Sequence, residues 1–306
     1  MRTCSVTRVV VLSLLLGACT ASRTAALPYV DFSHRSPVPV AASTAIKPLR
    51  VAVAAILSPE GTIDSYGALA SYLAERLGRP VEIVQRRTYQ EINDLLKSGD
   101  VEVGFVCTSA YVAGHDQFGL RLLVAPQIDD QTIYYSELIV PYDSTAESMS
   151  DLRGVVFAFT DPISTTGRIY PTYLVEQLGE TPETFFARTF FTYSHDRAIK
   201  AVADGVADAA AVDSLVLDYA LKRNPNLALQ IKVINRSPAF TIPPVVVSPD
   251  VTPRQAAELR DLLLSISTDP TGTPVLATLG IDGFVSVDDG AYDGVRAVID
   301  AVEQTP

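Results

Sequence analysis

The sequence predicts an α/β protein made of two similar lobes, joined by a two-segment hinge and separated by a ligand cleft. Three observations lead there. Apolar runs suited to buried strands alternate with segments of helical periodicity from Leu49 onward. The same helix–glycine–strand grammar occurs once in each half. The longest apolar stretch lies near the N-terminus, and nothing later reaches the roughly 20 residues needed to span a bilayer.

The chain has 306 residues, room for two domains. Hydrophobic residues make up 48% and charged residues 19%, so it can bury a core. A formal net charge of −11 and the lack of any basic run argue against nucleic-acid binding, which needs cations to replace phosphate counterions.

Arg2 and Arg8 form a positive leader, followed by Val9 to Leu16, apolar except for Ser13. Leu16-Gly17-Ala18-Cys19 then resembles a bacterial lipobox, which implies cleavage before Cys19 and lipid on its thiol. The alternative is an ordinary secretory signal with a chance cysteine. Residues 1–18 therefore read as a signal peptide. Residues 19–47, rich in Ala, Ser, Thr and Pro, read as a lipidated tether in which His34 has no role. With Cys4 in the signal and Cys19 lipidated, Cys107 is left without a disulfide partner and reads as an inert buried thiol.

Leu49 to Ile56 is a continuous apolar strand. Tyr66, Leu69, Leu73 and Leu77 mark one face of a helix that Gly78 ends. Val81 to Val84 is a strand. Thr88 caps a helix that stops at Gly99, and Val101 to Cys107 is the next strand. In the second half, Val155–Phe159, Thr189–Thr192 and Ala209–Val212 read as strands. Ser164–Gly179 reads as a turn and helix, and Asp196–Asp204 as a helix closed by Gly205. Extended segments near Glu137–Val140 and Pro243–Val247 are expected to join the lobes. Lobe 1 would comprise 48–138 and 245–306, and lobe 2 would comprise 139–244. In such folds ligands bind beyond the carboxyl ends of the strands.

Asp161-Pro162-Ile163-Ser164-Thr165-Thr166-Gly167-Arg168 follows a strand and opens a helix. Three hydroxyls, the unpaired amides of a helix start and the helix dipole favour a tetrahedral oxyanion there. Gly167 is expected to let backbone approach the ligand, and Arg168 to face solvent. A plain Ser/Thr cap is the simpler alternative. His195 reads either as a donor to that anion or as a structural histidine. Asp213, at the end of its strand, reads either as acceptor of a ligand proton or as a helix cap.

The Ser164–Gly167 turn, Tyr193-Ser194-His195 and Val212-Asp213 resemble the periplasmic phosphate/phosphite/phosphonate-binding protein family. So do Tyr89, Val101-Glu102-Val103-Gly104-Phe105, Thr108-Ser109-Ala110-Tyr111 and Tyr134-Tyr135-Ser136. The resemblance implies a two-lobe periplasmic binding protein, type II-like, that delivers a phosphorus oxyanion to an ABC importer. It implies that Ser164, Thr165, Thr166, Gly167 and His195 hold the oxygens. Tyr89, Tyr134, Thr108 and Ser109 would close over them, with Asp213 able to hold a ligand amine. Two departures stand out. Thr166 occupies a position where serine is commoner, and Ser237–Pro244 lacks the acidic residue some members carry, which points away from aminophosphonates.

The expectation is thus an extracytoplasmic, monomeric solute-binding lipoprotein, anchored through Cys19, with a permease as partner and no cofactor or metal. One alternative is a sensor presenting its closed clamp to a membrane kinase. The other is a hydrolase using Ser164, His195 and Asp213. Against the hydrolase, no Gly-x-Ser-x-Gly or Gly-Lys phosphate loop occurs, and the three histidines form no metal-ligand pair.

Overall fold

The structure of the protein is a computed structural model, and it describes residues 46–303. The expected signal, the lipidated Cys19 and the greater part of the tether fall on residues 1–45, outside the described residues. Among the described residues no helix is long and apolar enough to cross a membrane.

The first lobe opens with β1 (Leu49–Val53), α1 (Pro59–Leu77), β2 (Val81–Gln85) and α2 (Tyr89–Lys97). It continues through β3 (Val103–Phe105), α3 (Thr108–Phe118) and β4 (Arg121–Gln127). After β5 (Ile133–Tyr134) come β6 (Ser136–Pro141), β7 (Val156–Phe159), α4 (Tyr170–Glu176), α5 (Pro182–Phe185) and β8 (Arg188–Phe191). The second lobe is completed by α6 (His195–Ala203), β9 (Ala209–Asp213), α7 (Ser214–Arg223) and β10 (Ile231–Arg236). The chain then returns through β11 (Phe240–Thr241) to β12 (Val245–Val247), α8 (Pro253–Ser265), α9 (Thr273–Leu279), β13 (Gly283–Val285) and α10 (Asp293–Glu303).

Two sheets result. The first runs β13-β4-β12-β3-β1-β2 and the second β10-β6-β9-β7-β8. β1 is parallel to β2 and β3, and β7 is parallel to β8 and β9. Parallel neighbours need crossover helices, which cover both faces of the sheet. That burial is why the inner strands are unbroken apolar runs: Val51, Ala52 and Val53 are all buried, as are Ala209 to Val212.

The repeated grammar corresponds to repeated structure. α2 leads through Gly99 to β3, and α6 leads through Gly205 to β9, with φ of 71° and 70° at the two glycines. Only glycine takes that left-handed conformation at no steric cost. Thr88 caps α2 as expected. Its hydroxyl accepts the Glu91 amide at 3.2 Å, while the Glu91 carboxylate accepts the Thr88 amide at 2.9 Å.

The crossing between the lobes differs from the expectation. Glu137–Val140 lies within β6, hydrogen-bonded to β9 and β10, and Val245–Val247 lies between β3 and β4. The paired connection is the short ribbon β5·β11, with Tyr134 opposite Phe240 and Ile133 opposite Thr241. Leu138, Ile139 and Val140 are fully buried, and such a run belongs inside a sheet rather than in a linker.

Candidate functional site

The carboxyl ends of β3, β7 and β9 and the ribbon strand β5 meet at the seam between the two sheets. β7 ends at Phe159, and Thr160-Asp161 leads into the hydroxyl turn. Residues Thr165–Ile169 form one π-helical turn ahead of α4, with Ser164 as its cap. The Ser164 hydroxyl oxygen accepts the Gly167 amide at 3.1 Å. Ser164, Thr165 and Thr166 are all buried.

Thr165 is buried against the opposite lobe. The Thr165 hydroxyl oxygen accepts the Ser109 amide at 3.0 Å and lies 2.6 Å from the Thr108 hydroxyl. Thr108 in turn meets the Tyr134 hydroxyl at 2.7 Å. Ser109 donates its hydroxyl to the Ile163 carbonyl. The turn is thus packed, but packed in the seam.

The expected site residues converge here, in two groups. Thr108, Ser109, Thr165 and Tyr134 are bound to one another. Tyr89, Thr166 and Ser164 retain unused capacity. The Tyr89 hydroxyl and the Thr166 hydroxyl are buried without a hydrogen-bond partner. The Ser164 hydroxyl accepts from Gly167 and leaves its proton to donate.

His195 is fully buried at the start of α6. Its Nδ1 faces the Asp213 amide at 3.0 Å, which can only donate, so the ring proton sits on Nε2. Nε2 lies 3.4 Å from the Ser164 oxygen. Burial pushes the imidazole down to about 3, leaving it a neutral donor. This arrangement cannot act as a catalytic triad. The nitrogen facing Ser164 already carries a proton, and Nδ1 is held by a backbone amide rather than by a carboxylate.

Asp213 performs the capping role expected as its simpler alternative: its carboxylate accepts the Leu215 amide at 2.8 Å at the start of α7. Burial nevertheless raises this carboxyl to about 7, against the lowering effect of the amides. Two of the expected details are corrected. At Gly167 the close approach is made by Thr160, since a Cβ there would stand 1.9 Å from the Thr160 hydroxyl. Arg168 lies over the Phe159 ring at 4.3 Å rather than in solvent, because its aliphatic stem and guanidinium cover the exposed edge of an aromatic cluster.

Sequence reasoning missed three participants. Asp161 is buried and bridges the lobes, accepting the Tyr89 amide at 3.1 Å and the Ile163 amide at 3.0 Å. Its position next to Pro162, just before the turn, was the available signal. Ser136 donates to the Thr166 carbonyl at 2.7 Å and fixes the turn from the hinge side. Tyr66 reads in sequence as a core position of α1. Its phenol is pushed up to about 12, mainly by burial and secondly by the Asp213 charge, which puts it within electrostatic reach of the seam. Cys107 is buried 3.6 Å from the Thr165 hydroxyl, at the site's edge rather than in a remote core. Among the described residues no group of three His, Cys, Asp or Glu could hold a metal ion.

The profile of the family described as ABC transporter, phosphonate, periplasmic substrate-binding protein matches residues 51–292. A phosphate-import protein of Mycolicibacterium smegmatis is 26% identical over 77% of this chain and 80% of its own length. The phosphonates-binding periplasmic protein of Escherichia coli is 28% identical, over 48% of this chain and 44% of that protein. Two solved structures share the fold. A binding protein component of an ABC phosphonate transporter from Pseudomonas aeruginosa superposes with a TM-score of 0.80 at 22% identity, covering 85% of this chain and 88% of that one. A Prochlorococcus marinus protein in complex with methylphosphonate gives 0.76 at 19% identity, covering 84% and 99%.

The packing at Gly167 has a measurable consequence. Gly167→Ala should lower stability by about 1–3 kcal/mol through overpacking, read as a lower midpoint in denaturant unfolding. Adding Thr160→Ala should recover part of the loss, and a wild-type midpoint for Gly167→Ala alone would overturn the packing account.

With the fold, the seam site and the match over most of its length in agreement, this chain belongs to the phosphonate-binding family of periplasmic substrate-binding proteins, the ligand-capturing components of ABC importers rather than enzymes.

Proposed function

We propose that the protein captures a small phosphorus oxyanion lacking an ammonium group: phosphate, phosphite or a short alkylphosphonate. The observation that carries this reading is the set of neutral donors with unused capacity at the seam. The Tyr89 and Thr166 hydroxyls are buried without a partner, and the Ser164 hydroxyl keeps its proton to donate, while the His195 Nε2–H reaches the Ser164 oxygen only at 3.4 Å and can turn to an anion. A buried donor without an acceptor costs about 1–3 kcal/mol, so an anion that satisfies several at once stabilises the joined lobes. Gly167, Thr165, Thr108, Ser109 and Tyr134 would then frame the ligand rather than supply free donors.

The carboxylates define what else the ligand carries. Asp161 spends both oxygens on backbone amides. Ser237–Pro244 offers no second acid to meet an amine, and its Phe240 ring packs 6.3 Å from Tyr134 and 5.7 Å from Tyr170. Asp213 alone is left to take a proton. A thermal-shift screen should rank phosphate, phosphite and methylphosphonate above 2-aminoethylphosphonate and sulfate. A ligand at a hundred times its dissociation constant adds about 2.7 kcal/mol of stability. If sulfate gave the largest shift, the role of Asp213 as proton acceptor would be lost. Ser164→Ala should weaken calorimetric binding of the best anion by about 1–3 kcal/mol, and unchanged affinity would remove Ser164 from the site.

The pH dependence follows from the same group. Joining the lobes buries Asp213 and raises its carboxyl toward about 7, so the joined state favours the proton. Stabilisation from this group is complete below the ordinary carboxylate range and is lost as pH rises through about 7. The complex holds one proton between Asp213 and the anion. Above the anion's second ionisation, affinity should fall by up to about tenfold per pH unit. Asp213→Asn should flatten that slope, because its amide donates to a dianion without taking up a proton. A slope that persists in Asp213→Asn would assign the proton elsewhere. His195, held neutral, adds no break between pH 5 and pH 8.

The lipobox-like Leu16–Cys19 supports attachment to the membrane by lipid on Cys19, with the protein working as a monomer beside its permease. Cys19→Ala should shift the exported protein from the membrane fraction to the soluble one. A wild-type protein already soluble after osmotic release would exclude the anchor.

A further inference from the structure

We propose that Arg87 and Tyr193 form a positioning pair that holds the lobes together without touching the ligand and so sets how slowly the ligand leaves. Arg87 belongs to the first lobe, between β2 and α2, and Tyr193 to the second, between β8 and α6. The Arg87 guanidinium lies 4.0 Å from the centroid of the Tyr193 ring, a cation–π geometry that bridges the seam.

The backbone at Tyr193 supports a dedicated role. Its φ is +60°, in the left-handed region that bulky side chains rarely occupy. Its amide donates to the Thr160 carbonyl at 2.7 Å. Glycine or asparagine would adopt this conformation with less strain, so the position keeps an aromatic ring at a conformational cost. The ring's cross-lobe contact is Arg87.

The pair also sits where leverage is greatest. Arg87 is two residues from Tyr89, whose amide crosses the seam to Asp161 at 3.1 Å. Tyr193 is two residues from His195, whose amide crosses to the Ile56 carbonyl at 3.0 Å. Next to it, the Asp196 carboxylate accepts the Ser58 amide at 3.0 Å. Separating Arg87 from Tyr193 therefore loosens the two segments that carry a ligand-facing side chain from each lobe. The ligand meets separated lobes and leaves only when they part again. The pair should thus act on dissociation and leave association unchanged.

The inference rests on the two-lobe clamp and not on which anion it takes, so its primary test needs no ligand. Amide hydrogen exchange of the ligand-free full chain reads opening directly at Tyr89 and His195, with the buried strand amide of Val53 as internal control. Arg87→Ala and Tyr193→Ala should each speed exchange at Tyr89 and His195 by about two- to fivefold, the size of an exposed cation–π contact, with Val53 unchanged. Tyr193→Phe should behave like wild type because it keeps the ring. The double variant should equal the singles, since both remove one contact. Where an anion binds, stopped-flow release of inorganic phosphate or methylphosphonate should quicken by the same factor at constant association rate. Unchanged exchange at both amides in Arg87→Ala, or an equal rise at Val53, would overturn the proposal. If exchange changed as expected but none of the anions screened bound the protein, the pair would stand and the ligand assignment would fall.

Discussion

The Thr165 side chain is a point at which the two lobes touch inside the site. One hydroxyl from the second lobe accepts the Ser109 amide and meets the Thr108 hydroxyl, both at the first turn of α3 in the first. For that contact to exist, β7 must deliver the turn to its carboxyl end, and β3 must deliver α3 to the same level. Parallel strands do this naturally, because their carboxyl ends lie on one side of the sheet and the following helix starts there. The seam is therefore a consequence of topology in each lobe, brought into register by the ribbon β5·β11.

The chemistry of the seam is mostly uncharged. His195 is neutral because burial disfavours its cation and because the Asp213 amide occupies Nδ1. Asp161 is held by two backbone amides rather than paired with a cation. The arginines nearby are used at the margins, Arg168 over Phe159 and Arg87 over Tyr193. A buried anion held by fixed neutral dipoles needs no buried counter-charge, whose desolvation would offset most of the attraction. In the proposed binding mode it also lets Asp213 respond to a proton on the guest, which a buried arginine would mask.

The hydroxyl turn, His195 and Asp213 were legible in sequence because their chemistry is local. Three hydroxyls and a glycine after an apolar run mark a helix entrance whatever surrounds it, and Thr88 and Gly99 bracket α2 by capping rules alone. The cross-lobe partners were not legible. Asp161 bonds a residue 72 positions earlier in the chain, and Thr165 bonds one 57 positions earlier. Nothing in the spacing of either pair announces it. Gly167 illustrates the difference: local sequence pointed to a close approach of backbone to ligand there, and only packing shows that Thr160 makes the close approach.

By itself the sequence determined the alternation of strands and helices, the doubling of the lobe and the class of guest suited to a hydroxyl-rich helix start. Each of these depends on periodicity and on groups within a few residues of one another. Tertiary structure alone decided which donors are used up between the lobes and which remain. It also decided which tautomer His195 holds and how far Asp213 is driven toward its acid form. Those depend on distances between segments remote in the chain and on the removal of water, and neither is written in local sequence.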